Sequence, residues 1–103
     1  MITFLPRHLA TVNIDVSSSN QRVQIATDGP QTVRVMNNGT ATVWIEFGGS
    51  AVAAALASGV PVPPGSVEVF TANIDGNAGG ALYAAAIAAG STGKIYFTVG
   101  DGF

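Results

Sequence analysis

The sequence predicts an all-β domain: an antiparallel β-sandwich of jelly-roll-like form with about seven short strands. Apolar and polar residues alternate with period two over several separate stretches. Clusters of turn-forming residues separate those stretches at intervals of roughly eight to twelve residues. At 103 residues the chain has room for one hydrophobic core. The expected organisation is an N-terminal arm over 1–9, interrupted by Pro6, and a single sandwich domain over 10–103.

The first strand is expected over 10–16, with Val12, Ile14 and Val16 on one face. Ser17-Ser18-Ser19-Asn20 is a loop. The second strand, 21–27, turns Val23 and Ile25 inward and Arg22 and Gln24 outward. Asp28-Gly29-Pro30 then supplies a turn: Asp bonds its own backbone, Gly accepts positive φ and Pro lacks a donor.

The stretch 32–47, TVRVMNNGTATVWIEF, is expected to form a β-hairpin around Asn37-Asn38-Gly39. A two-residue loop at Asn38-Gly39 would place Val33 and Val35 opposite Trp44 and Thr42, mixing the faces. A three-residue loop sets Val33 against Val43 and Val35 against Ala41. One face is then Val33, Val35, Ala41, Val43, Ile45 and Phe47. The other holds Arg34, Met36, Trp44 and Glu46. A one-residue slip exchanges faces, so the apolar pattern selects the second register; a four-residue loop of the same parity stays open. Arg34 then lies diagonal to Trp44, within reach of a cation–π contact.

Ser50-Ala-Val-Ala-Ala-Ala-Leu-Ala-Ser58 reads as a short helix or turn, with Ser50 as N-cap and Gly59 just past its end. The prolines of 60–65 exclude a central strand there. A strand over 66–71 sets Val67 and Val69 against Glu68 and Phe70, with the latter two outward. Residues 73–80 form a glycine-rich loop. The run ALYAAAIAA, 81–89, is apolar throughout; its length and flanking Gly80 and Gly90 favour a strand buried on both faces over a helix. The last strand, 94–99, turns Ile95, Phe97 and Val99 inward and Tyr96 outward. Residues 100–103 are a loose end.

Composition narrows the functional classes. With no cysteine, a disulfide framework and a thiolate metal site are excluded. A net charge of −2 with four scattered basic residues argues against nucleic acid, which requires a dense cationic surface. Charged residues make up 10% of the chain, where soluble domains carry about 25%. Mean hydropathy is +0.41, yet its apolar runs free of glycine, such as 51–57, are far short of a membrane helix. The start, MITFLPRHLA, lacks a basic segment followed by an apolar core, so no signal peptide is expected. A charge-poor, apolar-rich chain of this kind is expected to have much of its surface covered by neighbours, the plainer alternative being a monomer surfaced with Ser, Thr, Asn and Gln.

Catalytic constellations are weak. A Ser/His/Asp triad would have to draw on His8, the only histidine, from a proline-flanked arm. Asp75-Gly76-Asn77 lacks the spaced ligands of a calcium loop and reads as turn sequence. Glu46 and Glu68, on expected strands at outward positions, are the pair a glycosidase could use; solvated surface charge is the simpler reading. Gly90-Ser-Thr-Gly-Lys94 fails the phosphate-loop pattern, because the residue after Lys94 is Ile95. No cofactor or metal is expected, and no enzymatic activity. The outward aromatics Trp44, Phe70, Tyr83 and Tyr96 suit a protein contact, a sugar-stacking platform or the edge of a second core.

Three segments carry a family resemblance: VRVMNNGTATVWIEFG (33–48), PVPPGSVEVFTA (61–72) and KIYFTVGDGF (94–103). The chain from Gln31 onward resembles small structural proteins of tailed bacteriophages, in which a V-x-V-x-N-x-G-x-x-x-V hairpin, a P-x-P-x-G-S-x-E-V-F segment and a terminal G-x-G-F recur. The first 30 residues carry no shared motif. The resemblance implies a non-enzymatic virion component, a β-sandwich that decorates or cements the capsid lattice, or else one placed in the tail or head–tail region. It brings no catalytic residues. The expected location is the virion, after synthesis in the host cytoplasm. The expected partners are the major capsid protein or other virion proteins and copies of the chain itself, a trimer suiting local threefold positions. The second functional class is a module binding carbohydrate or a host surface. Candidate protein-contact residues are Arg34, Met36, Trp44, Glu46, Tyr83, Tyr96 and Phe103, with the arm 1–9 and the tail 100–103 as candidate docking segments.

Overall fold

In the computed structural model, residues 5–26, 31–72, 81–90 and 92–101 are described. They contain eight strands: β1 (Leu5–Val16), β2 (Gln21–Ala26), β3 (Gln31–Asn37), β4 (Val43–Gly48), β5 (Val60–Val62), β6 (Val67–Ala72), β7 (Leu82–Ile87) and β8 (Gly93–Asp101). One sheet has the order β1-β8-β3-β6 and the other β2-β7-β4-β5, with every pairing antiparallel. Consecutive strands change sheets at each step except β4 to β5, which is the strand order of a jelly roll. The eighth strand, unassigned from sequence, is β5. It holds three residues at a sheet edge, where its proline removes no ladder bond a central strand would need.

The strand faces follow the alternation. Ile14 and Val16 of β1, Val33 and Val35 of β3, and Ile95, Phe97 and Val99 of β8 meet Ile25, Val43, Ile45, Val62 and Leu82 from the other sheet in one buried cluster. β7 contributes Ala84 and Ala86 to the core as well, so 81–89 is a strand. Its outward Ala85 is also buried, because the 49–59 segment crosses over that side of the sheet. An apolar run without alternation is what such two-sided cover requires. The rings of Phe47, Phe70 and Phe97 meet at one end of the core, Phe47 lying 5.9 Å from Phe70 and 6.2 Å from Phe97.

Residues 32–47 do not form a hairpin. β3 pairs with β6 and β8, and β4 pairs with β5 and β7. Asn37-Asn38-Gly39 is instead the corner at which the chain leaves one sheet for the other. The side chain of Asn37 is fully buried there. Its Nδ2 donates to the carbonyls of Ala41 and Val62, each at 2.9 Å, and its Oδ1 accepts from the Gly39 N–H at 2.9 Å. Gly39 fits because a Cβ at that position would sit 2.5 Å from the Thr92 carbonyl oxygen. The expected face parity holds, with Val33, Val35, Val43 and Ile45 inward, but these residues face one another across the core rather than along a ladder.

The helix weighed for 50–58 does not form. Nine residues are too few to hold a helix without strong packing, and other groups take the backbone. The Ala54 N–H donates to Asn20 Oδ1 at 2.7 Å, and Arg22 Nη1 donates to the Val52 carbonyl at 3.1 Å. The segment then returns through Gly59, where a Cβ would meet the Ile45 carbonyl oxygen at 2.5 Å. Ala57 is left at φ +62°. A left-handed backbone costs an L-residue about 1–2 kcal/mol, partly offset by the greater unfolded-state freedom of glycine. Ala57→Gly is therefore expected to raise stability by about 0.5 kcal/mol in urea denaturation.

Two further expectations change. β1 begins at Leu5 and pairs with Asp101 and Gly100 through Leu5 and Pro6, so the second half of the stretch taken as an arm is strand backbone, as is the start of the expected loose end. β6 has the opposite facing to that expected. Val33 and Val35 point inward, and their ladder partners Phe70 and Glu68 must share that side. Val67 and Val69 are consequently on the outside.

Candidate functional site: the outer face of the four-stranded sheet β1-β8-β3-β6

The registers build this face row by row. Thr11, Thr98, Arg34 and Val69 lie in one row across β1, β8, β3 and β6. Asn13, Tyr96, Met36 and Val67 form the next. Asp15 and Lys94 continue the face on β1 and β8, joined by an ion pair of 2.6 Å. The Asp15 carboxylate, by hydrogen bond and by charge, holds Lys94 above the ordinary lysine pKa. Two features stand out on this face.

The first is apolar. Met36, Val67 and Val69 are adjacent and 38%, 45% and 39% exposed. Val67 and Val69 belong to β6, whose one ladder partner is β3, so among the described residues no strand pairs with its other edge. The remaining edge strands are interrupted. β1 shifts register between Pro6 and Thr11, β2 shifts between Gln24 and Ala26, and β5 has three residues including Pro61. β6 has neither a register shift nor a proline, only Glu68 turned toward the inner side.

The second is a depression of about 380 Å³ lined by Thr11, Arg34, Met36, Asn38, Tyr96 and Thr98. Its floor is β8 and β3, both paired on two sides, with β1 at the rim. The hydroxyls of Thr11 and Thr98 are hydrogen-bonded at 2.8 Å.

Of the candidate protein-contact residues, the fold brings together Arg34, Met36 and Tyr96. Trp44, Glu46 and Tyr83 lie on the outer face of the other sheet, where Trp44 is half-buried in a row with Ile87 and Pro61. Arg34 and Trp44 are on opposite sides of the sandwich, so the expected cation–π pair does not form. Glu46 faces outward from one sheet while Glu68 faces the inner side of the other, and the two do not share a cleft. Phe103, Asp75-Gly76-Asn77 and the side chain of His8 lie outside the described residues. Among the described residues, no three histidine, aspartate or glutamate side chains gather as a metal site.

Sequence reasoning missed Thr11, Asn38 and Thr98 at the depression and the exposure of Val67 and Val69. The threonines sit at the correct parity in β1 and β8, but only the β1–β8 pairing brings them together. β6 has apolar residues on both faces, so its alternation did not indicate which side was buried.

The fold is similar to that in the crystal structure of PirA, with a TM-score of 0.60 and 13% sequence identity over 90% of this chain and 95% of that one. At that identity the likeness concerns the fold alone. No protein-family model matches the sequence, and no curated protein matches it.

Proposed function

We propose that this chain is a non-enzymatic structural protein of a tailed-bacteriophage virion, a decoration or cement protein that binds the capsid lattice. A tail or head–tail position is the alternative within the same class. The observation that carries the reading is the exposed Met36–Val67–Val69 strip beside the uninterrupted β6 edge. Exposed valines on a regular edge strand favour unwanted pairing in a free monomer, and they are useful where a neighbouring subunit covers them. The low charged fraction and the sequence resemblance point the same way. Binding through several such contacts to adjacent capsid subunits, and through self-association, would give high avidity from individually weak contacts.

The double variant Val67→Lys, Val69→Lys places two charges on this strip while leaving the core intact. It is expected to fold, by circular dichroism and thermal midpoint, yet to lose about tenfold or more of its occupancy on purified particles. Unchanged occupancy of the folded variant would refute the contact surface.

A second reading, a carbohydrate-binding module, is favoured by the depression, whose hydroxyl, amide, guanidinium and aromatic lining suits a hydroxylated ligand of about one or two sugar rings.

A further inference from the structure

The depression and its charge carry an inference about ligand chemistry, which rests on the carbohydrate reading and not on virion assembly. Three basic side chains are described. Arg22 donates to the Val52 carbonyl, and Lys94 is paired with Asp15. Arg34 lines the depression with no hydrogen-bond or ion-pair partner among the described residues. Its row across the sheet holds Thr98, Thr11 and Val69, and the next holds Tyr96, Asn13 and Met36. No carboxylate lies in either row. The one described acid farther along β1, Asp15, is already held by Lys94, and Glu68 faces the other side of β6. Among the described residues, then, no carboxylate compensates the Arg34 guanidinium in the depression.

We propose that this depression binds an acidic sugar, a monosaccharide or terminal glycan residue bearing a carboxylate. The planar fork of Arg34 matches a carboxylate with two parallel N–H donors. The ring of Tyr96 offers an apolar face for the carbon side of a sugar ring. The Thr11–Thr98 hydroxyl pair and the Asn38 amide can donate to and accept from ring hydroxyls. A peptide strand is the less suitable occupant. β8 and β3 have their backbone groups committed on both sides, so only side chains are on offer at the floor. A phosphate would favour more than one cation.

The test is a titration of the intact protein with D-glucuronate, N-acetylneuraminate, D-glucose and acetate at constant ionic strength, read from the NMR shifts of Tyr96 and Thr98. The acidic sugars are expected to saturate in the millimolar range, with D-glucuronate about tenfold tighter than glucose and acetate giving no saturation. Arg34→Gln is expected to weaken the acidic sugars about tenfold more than it weakens glucose. Arg34→Lys is expected to recover only part of the affinity, because an ammonium lacks the fork. Equal binding of glucose and glucuronate would overturn the acidic-sugar inference and leave the carbohydrate reading in place. Acidic-sugar binding insensitive to Arg34→Gln would overturn the inference too. Absence of saturation by all the sugars at about 50 mM would overturn both. Loss of particle occupancy in Arg34→Gln without any sugar binding would assign Arg34 to a protein carboxylate and also overturn the proposal.

Discussion

Asn37→Ala is expected to destabilise the domain by about 3 kcal/mol, lowering Tm by roughly 15 °C. Asn37 is the one polar side chain that the corner between the sheets is built around. Truncation strands the buried Val62 carbonyl and, at partly buried positions, the Ala41 carbonyl and the Gly39 N–H. An unmade bond at a buried group costs about 1–3 kcal/mol. The carbonyls belong to the loop entering β4 and to β5, so the loss falls on the second sheet while the residue belongs to the first. The backbone of Asn37 adds two more links, its N–H to Ser66 O at 3.1 Å and its carbonyl accepting from Gly65 N at 2.8 Å. Asn37→Ser is expected to lose nearly as much, since a hydroxyl has one proton and cannot serve both carbonyls. Urea denaturation of the three proteins checks this, and a loss below about 1 kcal/mol in the alanine variant would contradict the role given to the corner.

Phe97→Ala is expected to cost about 4 kcal/mol. Phe97 lies on β8, a central strand, and is the largest fully buried side chain described. Its ring meets Phe47 edge-on, with an interplanar angle of 82°. Phe47 in turn contacts Phe70. Removing the Phe97 ring takes away its own transfer energy and leaves a cavity against Phe47, which β-strands on both sides hold too rigidly to collapse. Phe97→Leu keeps most of the volume and is expected to cost about 1 kcal/mol. The difference between the two variants in urea denaturation measures the cavity.

The strand faces were legible because alternation is a local property: β1, β3, β4 and β8 each point one parity inward, whatever their ladder partners. Partner choice was not. Asn-Asn-Gly suits a tight hairpin and a sheet-to-sheet corner equally, since both need a residue that bonds its own backbone and a glycine against a neighbouring chain. Deciding between them required Val62 and Thr92, which are remote in sequence from Asn37 and Gly39. The same limitation shaped the candidate site. Arg34 and Met36 share a face by alternation alone, and only the β3–β8 pairing sets Tyr96 beside them. Trp44 and Glu46 were grouped with Arg34 and Met36 on a hairpin pairing that does not exist. The facing of β6 was hidden by its composition, with a valine or a phenylalanine at alternate positions on either side; only Val33 and Val35, its neighbours across the ladder, decide it. The turn in place of a helix at 50–58 has a similar origin. Alanine favours helix locally, but Asn20, just before β2, and Arg22 within it claim that backbone.

The most direct measurement for the virion reading is cryo-electron microscopy of the particle with which the chain co-purifies, at a resolution that places strands. The expected result is stoichiometric density for this sandwich on the capsid or tail lattice, with the Met36–Val67–Val69 strip and the β6 edge against a neighbouring subunit. A particle free of this chain, or a bound chain whose β6 edge faces solvent while the Trp44 side makes the contacts, would contradict it.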